Sequence, residues 1–244
     1  MLPRLFFCLG MVAVLLLRGM PAVAAAAPPP EWKVVLVAGD DAEPVFDNAV
    51  AAFAHWLIER GVPTADIHRL SAQPETRDPA IEPASASRVL YRISSLEARP
   101  GQRCLVFVTS HGGRDEGVWL SYRREFLTPA ELARAVSLGC AAVPTVVIVS
   151  SCYSGAFAGG PMQAPNRIIL TAARADRPSF GCQADRTYTV FDECLLAALP
   201  HEPTWRATFK RNLACVGRRE SRLNVLPSHP QAFFGAAVRD LAIR

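Results

Sequence analysis

Excess charge of either sign is scarce in this chain of 244 residues, where 26 lysine and arginine side chains meet 22 aspartates and glutamates. Residues 1–26 hold two of the arginines and no acid, so the remainder carries 24 basic against 22 acidic side chains. So even a balance supplies no field for a polyanion, which argues against a nucleic-acid partner. Internal repeats are missing. No set of His, Cys, Asp and Glu has the spacing of a metal site, so no metal or cofactor is expected. His55, His68, His201 and His229 are scattered and read as ordinary structure or surface. A G-x-S-x-G elbow is also missing, which weakens a serine hydrolase working through Ser151 or Ser154.

The longest apolar run, Leu5 to Leu17, is too short to span a bilayer comfortably and is stopped by Arg18. With Arg4 before it and Ala22-Val23-Ala24 after it, the run has the three parts of an export signal, expected over residues 1–26. An uncleaved membrane anchor is the competing reading. Cys8 lies inside the run without the small-residue box of a lipoprotein anchor. Residues 27–31 form a stiff Pro-rich spacer, and residues 32–244 suffice for one α/β domain. The expected protein is therefore exported, periplasmic or secreted, and free of the membrane once the signal is cut.

Half of the chain is apolar, enough for a sizeable core without disulfide staples. Beyond the signal stand Cys104, Cys140, Cys152, Cys182, Cys194 and Cys215. If Cys152 is set aside as a nucleophile, at most two disulfides can form. Cys104 lies in an apolar strand and is expected to pack as a small hydrophobe. Cys194 and Cys215 are candidates to join two C-terminal helices, although spacing does not fix connectivity.

The stretch that organises the chain is Thr145 to Phe157, TVVIVSSCYSGAF. Its β-branched run reads as a buried parallel strand, ended by two serines and Cys152, with Gly155 turning the backbone soon after. Residues past the carboxyl ends of such strands line the ligand crevice of open α/β sheets. Cys104 to Thr109, CLVFVT, ends in the same way, at Ser110-His111-Gly112-Gly113. If the two strands are adjacent, His111 and Cys152 share one rim. A thiol becomes a thiolate near neutral pH through such a neighbour. The glycines beside His111 admit a substrate backbone and leave an N–H for an oxyanion.

Other strands are expected at Lys33–Ala38, Ile67–Leu70 and Arg167–Leu170. Helices are expected from an Asp47 cap, from Ser85 or Ser87, from the Thr128-Pro129-Ala130-Glu131 capping box, and over Glu193–Leu199 and Trp205–Val216. Ala72 to Ala84 reads as a surface loop, and Arg218 to Arg222 as a solvated basic segment. Strands alternating with helices predict an α/β fold, a mainly parallel sheet covered on both faces.

These motifs resemble the caspase-like clan of cysteine peptidases, most closely the legumain family. That family has one hydrophobic strand ending in His-Gly and another ending in a nucleophilic Cys followed by x-Ser-Gly, here His111-Gly112 and Cys152-Tyr153-Ser154-Gly155. VVLVAGDD, VFDNAVAAF, TAARADRPSFGC and SHPQAFFG extend the similarity over roughly residues 32–236. The resemblance implies a caspase-like three-layer sandwich and a peptide or protein substrate. It also implies an oxyanion site from the N–H groups of Cys152 and Gly112.

Legumains recognise asparagine with an Arg-His pair at the first helix and an acid two residues before the nucleophile. Asp47-Asn48 and Ser150 stand at those positions here, so asparagine specificity is not carried over. Ser179 matches a pocket serine of the family, and Glu193 falls where the family has a pocket acid. Such a pocket predicts cleavage after Arg, Lys or a neutral polar residue. Asp47 could equally serve only as a helix cap. A transamidase, as in the GPI-anchor transamidase that resembles this family, and a silent caspase-like binding domain remain as alternatives.

Overall fold

A computed structural model of the chain describes residues 31–73, 78–141, 143–183 and 185–243. The expected signal with Cys8, and the spacer up to residue 30, lie outside them. In chain order, β1 (Trp32–Ala38) is followed by α1 (Val45–Ile58), β2 (Ile67–Ser71), β3 (Ile81–Pro83) and α2 (Ala86–Ser94). Next come β4 (Arg103–Thr109), the short strands β5 (Gly112–Gly113), β6 (Gly117–Leu120) and β7 (Glu125–Leu127), and α3 (Pro129–Gly139). The described chain closes with β8 (Thr145–Ser150), β9 (Arg167–Thr171), α4 (Val190–Ala198), α5 (Trp205–Leu223) and β10 (Gln231–Phe234).

One sheet runs in the order β10-β9-β8-β4-β1-β2-β3. All its pairings are parallel except the antiparallel one of β10 on β9. The central strands are apolar at consecutive positions because both faces are covered. Leu36, Phe107 and Ile148 pack under α1, α4 and α5, while Val37, Val106 and Val147 pack under α2 and α3. This is the expected caspase-like three-layer sandwich.

Capping fixes where the helices begin. Ser85 Oγ accepts the Arg88 N–H at the start of α2, and Thr128 with Glu131 forms the expected capping box before Pro129. Thr189 and Thr204 cap α4 and α5 through the N–H groups of Asp192 and Ala207. Both helices are therefore longer than expected, α4 at its start and α5 at its end. None of the described helices is long and apolar enough to cross a membrane.

Other sequence expectations need correction. Asp47 does not cap α1: the helix begins at Val45 behind Pro44, whose fixed φ suits a helix entry, and Asp47 sits inside the first turn. There its charge favours the helix dipole instead. Cys104 is no packed thiol but a disulfide partner of Cys140, linking β4 to the end of α3. Cys194 and Cys215 do join α4 to α5. Arg218 to Arg222 continues α5, with Glu220 buried and accepting the Ser228 N–H. Past His111, the loop folds into the small antiparallel sheet β5-β6-β7, with Trp119 against Phe126. The Ala72 to Ala84 stretch contributes the edge strand β3.

Candidate active site

β4 and β8 are neighbours at the centre of the sheet, in a register that sets Thr109 opposite Ser150. His111 and Cys152 each stand two residues beyond that last pair, so the rim expected from the sequence exists. The Ser110 N–H donates to Ser150 O at 3.1 Å, carrying the pairing one step past the strands. His111 O accepts the Trp119 N–H at 3.0 Å, and its ring meets Phe46 of α1 edge-on with centroids 5.3 Å apart. Backbone and ring are thereby held from two sides.

Gly112 is required by close approach. A Cβ there would lie 2.2 Å from Cys152 O and 2.9 Å from Ser151 Oγ. The backbone after His111 is thus seated on the backbone of the turn at Cys152. That turn does not reverse at Gly155 as the sequence suggested. Tyr153 takes the left-handed conformation (φ 58°), a strained choice for an aromatic residue at the position after Cys152. Gly155 has a different reason, since a Cβ on it would fall 2.4 Å from Ala175 N.

The segment after β9 wraps the turn closely. Tyr153 N–H donates to Arg177 O at 2.8 Å, and Ser154 Oγ accepts the Ala173 N–H at 3.1 Å while donating to Ser151 O at 2.7 Å. Cys152 Sγ lies 3.3 Å from Ser179 N and 3.8 Å from its Oγ. Three residues further, Cys182 is also a free thiol; burial pushes its pKa up, and the neighbouring Cys152 adds to this.

The four residues expected to contact substrate separate in space. Ser179 lies against the thiol. Ser150 is 2% exposed, beneath the rim rather than open to a substrate. Asp47 turns toward Ser71, lining a cavity of about 450 Å³ with Asp41; burial chiefly, and then the Asp41 charge, raise its pKa. Asn48 Nδ2, on the same turn, donates instead to Thr187 O at 3.1 Å. Glu193 is held by two guanidiniums, accepting from Arg186 at 2.7 Å and from Arg219. The bare carboxylate expected there is already neutralised.

Asp192, which sequence reasoning passed over, is the one wholly buried acid among the described residues. Its Oδ2 accepts Thr109 Oγ1 at 2.7 Å directly beneath the rim. A polar residue beside the apolar Phe191 and Cys194, on the face its helix buries, was the available signal. No group of three or more His, Cys, Asp or Glu suited to a metal ion occurs among the described residues.

Among solved structures, the fold is similar to a crystal structure of protein GSU0716 from Geobacter sulfurreducens, with a TM-score of 0.57 at 14% identity. The match covers 84% of this chain and 94% of that one. At such identity the likeness concerns the fold alone. No curated protein matches the chain. The family profile described as the peptidase C13 family matches residues 86–212, a span that holds β4, β8, His111 and Cys152. The chain belongs to the peptidase C13 family.

Proposed function

We propose that the protein is a cysteine-type endopeptidase with a dyad of Cys152 and His111. The Cys152 thiolate adds to a peptide carbonyl, and the N–H groups of Cys152 and Gly112 hold the developing oxyanion. Collapse breaks the C–N bond, and His111 delivers a proton to the departing amine. Water, deprotonated by His111, then cleaves the thioester and returns the thiol. The observation that carries this reading is the seating of Gly112 on the carbonyl of Cys152. It brings a histidine and a partly exposed thiol onto one rim of a peptidase-family fold.

Ser179 and Asp47 are the substrate contacts retained in this proposal. A preference for basic residues through Glu193 is not retained, because Arg186 and Arg219 occupy that carboxylate. Work outside the cytoplasm, after removal of residues 1–26, is part of the same reading. The Cys104–Cys140 and Cys194–Cys215 disulfides favour an oxidising compartment.

The test is cleavage of a fluorogenic peptide library by purified protein and its Cys152→Ala and His111→Ala variants. Each variant should abolish hydrolysis and keep the fold, and the double variant should lose little more. Full activity of Cys152→Ala would overturn the nucleophile assignment. Absence of labelling by thiol-reactive peptides would favour a silent binding domain, and amide products with an added amine would favour a transamidase.

A further inference from the structure

Asp192 is 0% exposed, on the first turn of α4. Thr109 Oγ1 donates to its Oδ2, while Oδ1 has no hydrogen-bond partner, although the Ser150 hydroxyl is close enough to ease its charge. A buried carboxylate oxygen without a donor is costly. Thr109 and Ser150 are the last paired residues of β4 and β8, each two positions ahead of a member of the dyad. The helix is also fixed in place. Its Asp192 N–H bonds Thr189 Oγ1 at 3.1 Å, and Cys194, two residues on, is tied to Cys215 of α5.

We propose that Asp192 is a positioning residue for the dyad: it ties the carboxyl end of β4 to α4 beside the Ser150 end of β8, and gain or loss of its proton changes how His111 and Cys152 are presented. The proposal rests on the dyad reading above. Among the described residues, burial and hydroxyl groups rather than an opposite charge set the surroundings of Asp192. From β4 and β8 it meets hydroxyls; on its own helix, Glu193 is taken by Arg186 and Arg219. On α1, Asp47 turns to Ser71, and on α5, Arg219 turns to Glu193 and Glu220 to Ser228. His111, two residues beyond Thr109, is the titratable group the strand end itself carries. Burial raises the Asp192 pKa to about 6, only partly offset by Thr109, Ser150 and Thr189. The carboxyl therefore changes charge not far below neutral pH, beside strand ends two residues from each member of the proposed dyad. The protonated form fits the site, because burial disfavours the charge by more than the neighbouring hydroxyls restore. The dyad is then best presented below the Asp192 pKa.

The experiment measures Cys152 alkylation by iodoacetamide from pH 5 to 8. A Cys182→Ser background is used, the adduct is located by mass spectrometry, and each rate is divided by the thiolate fraction from ultraviolet titration. In the parent the corrected rate should fall about tenfold as pH rises through about 6, short of the roughly hundredfold that a 1 Å misplacement costs. Asp192→Asn should remove that inflection while the thiol's own titration stays. Thr109→Val, which removes a donor to the carboxylate, should move it upward in pH. A purely structural Asp192 would lower melting temperature and leave the shape of the profile alone. Should Asp192→Asn fail to fold, Thr109→Val decides by whether the inflection moves. Coincident profiles with a reactive Cys152 would overturn the role of Asp192 alone. An inert Cys152 in every protein would overturn the dyad reading, and this proposal with it.

Discussion

Gly112→Ala is the sharpest single perturbation of the rim. The added Cβ would lie 2.2 Å from Cys152 O, 2.9 Å from Ser151 Oγ and 3.1 Å from Ser151 Cβ. Carbon atoms in comfortable contact stand about 3.5 Å from their neighbours, so residue 112 and the Cys152 carbonyl must part by roughly 1 Å. The nearest obstacle is backbone and cannot swing aside as a flexible side chain would. The displacement falls between His111, one bond away on one side, and Cys152 on the other. A misplacement of that size costs on the order of 10²-fold in rate, about 2.7 kcal/mol of activation free energy. The measurement is kcat/KM for peptide hydrolysis, with iodoacetamide alkylation of Cys152 as a readout independent of substrate. Gly159→Ala is the control: nothing lies within 4 Å of its added Cβ and its φ is −130°, so both rates should stay near the parent values. Gly112→Ala activity within about twofold of the parent, at unchanged melting temperature, would refute the argument that this contact sets the dyad.

Stability should also report Asp192. Its folded pKa of about 6 lies above the 3.8 of the free side chain. Its contribution is therefore full at low pH and lost as pH rises through about 6. Two units correspond to roughly 3 kcal/mol of lost stability at pH 8 relative to pH 4, and urea titrations of Asp192→Asn should show that slope flattened. Replacing Cys104 and Cys140 together by alanine opens a loop with a sequence separation of 36 and should cost about 4 kcal/mol, read as a lower denaturation midpoint. Glu193→Gln releases Arg186 and Arg219 and should lower stability by about 1 kcal/mol while leaving the relative cleavage of basic and neutral substrates unchanged. A selective loss of cleavage after Arg would restore Glu193 to the pocket.

The architecture was legible where side chains report their own surroundings. Val146 to Val149 and Leu105 to Val108 are buried on both faces, and uninterrupted β-branched or apolar runs say so directly. Ser85, Thr128 and Glu131 declared their helix starts through local chemistry. What stayed hidden depends on partners distant in sequence. Glu193 looks like a free acid until Arg219, on another helix, is folded against it. Asp192 looks like an ordinary first-turn acid until Thr109, more than 80 residues earlier, meets it. Cys104 reads as a core residue because its strand is apolar, yet Cys140 arrives from the opposite end of the β4–β8 crossover. Tyr153 gives no sign of its left-handed backbone, since glycine or asparagine is the usual signal.

Because β4 and β8 hydrogen-bond directly, the dyad is a product of long-range strand pairing rather than of any local segment. No fragment holding only one strand contains both groups. Every pairing of β1, β4 and β8 is parallel, and such sheets close slowly because distant segments must meet before any contact rewards them. On the proposed reading, an unfolded chain therefore lacks the assembled dyad. The thiol acquires its histidine only when the centre of the sheet has zipped. Return of Cys152 reactivity during refolding should consequently coincide with closure of the β4–β8 ladder and lag behind the formation of helical signal, so that this thiol serves as a built-in clock for the last step of folding.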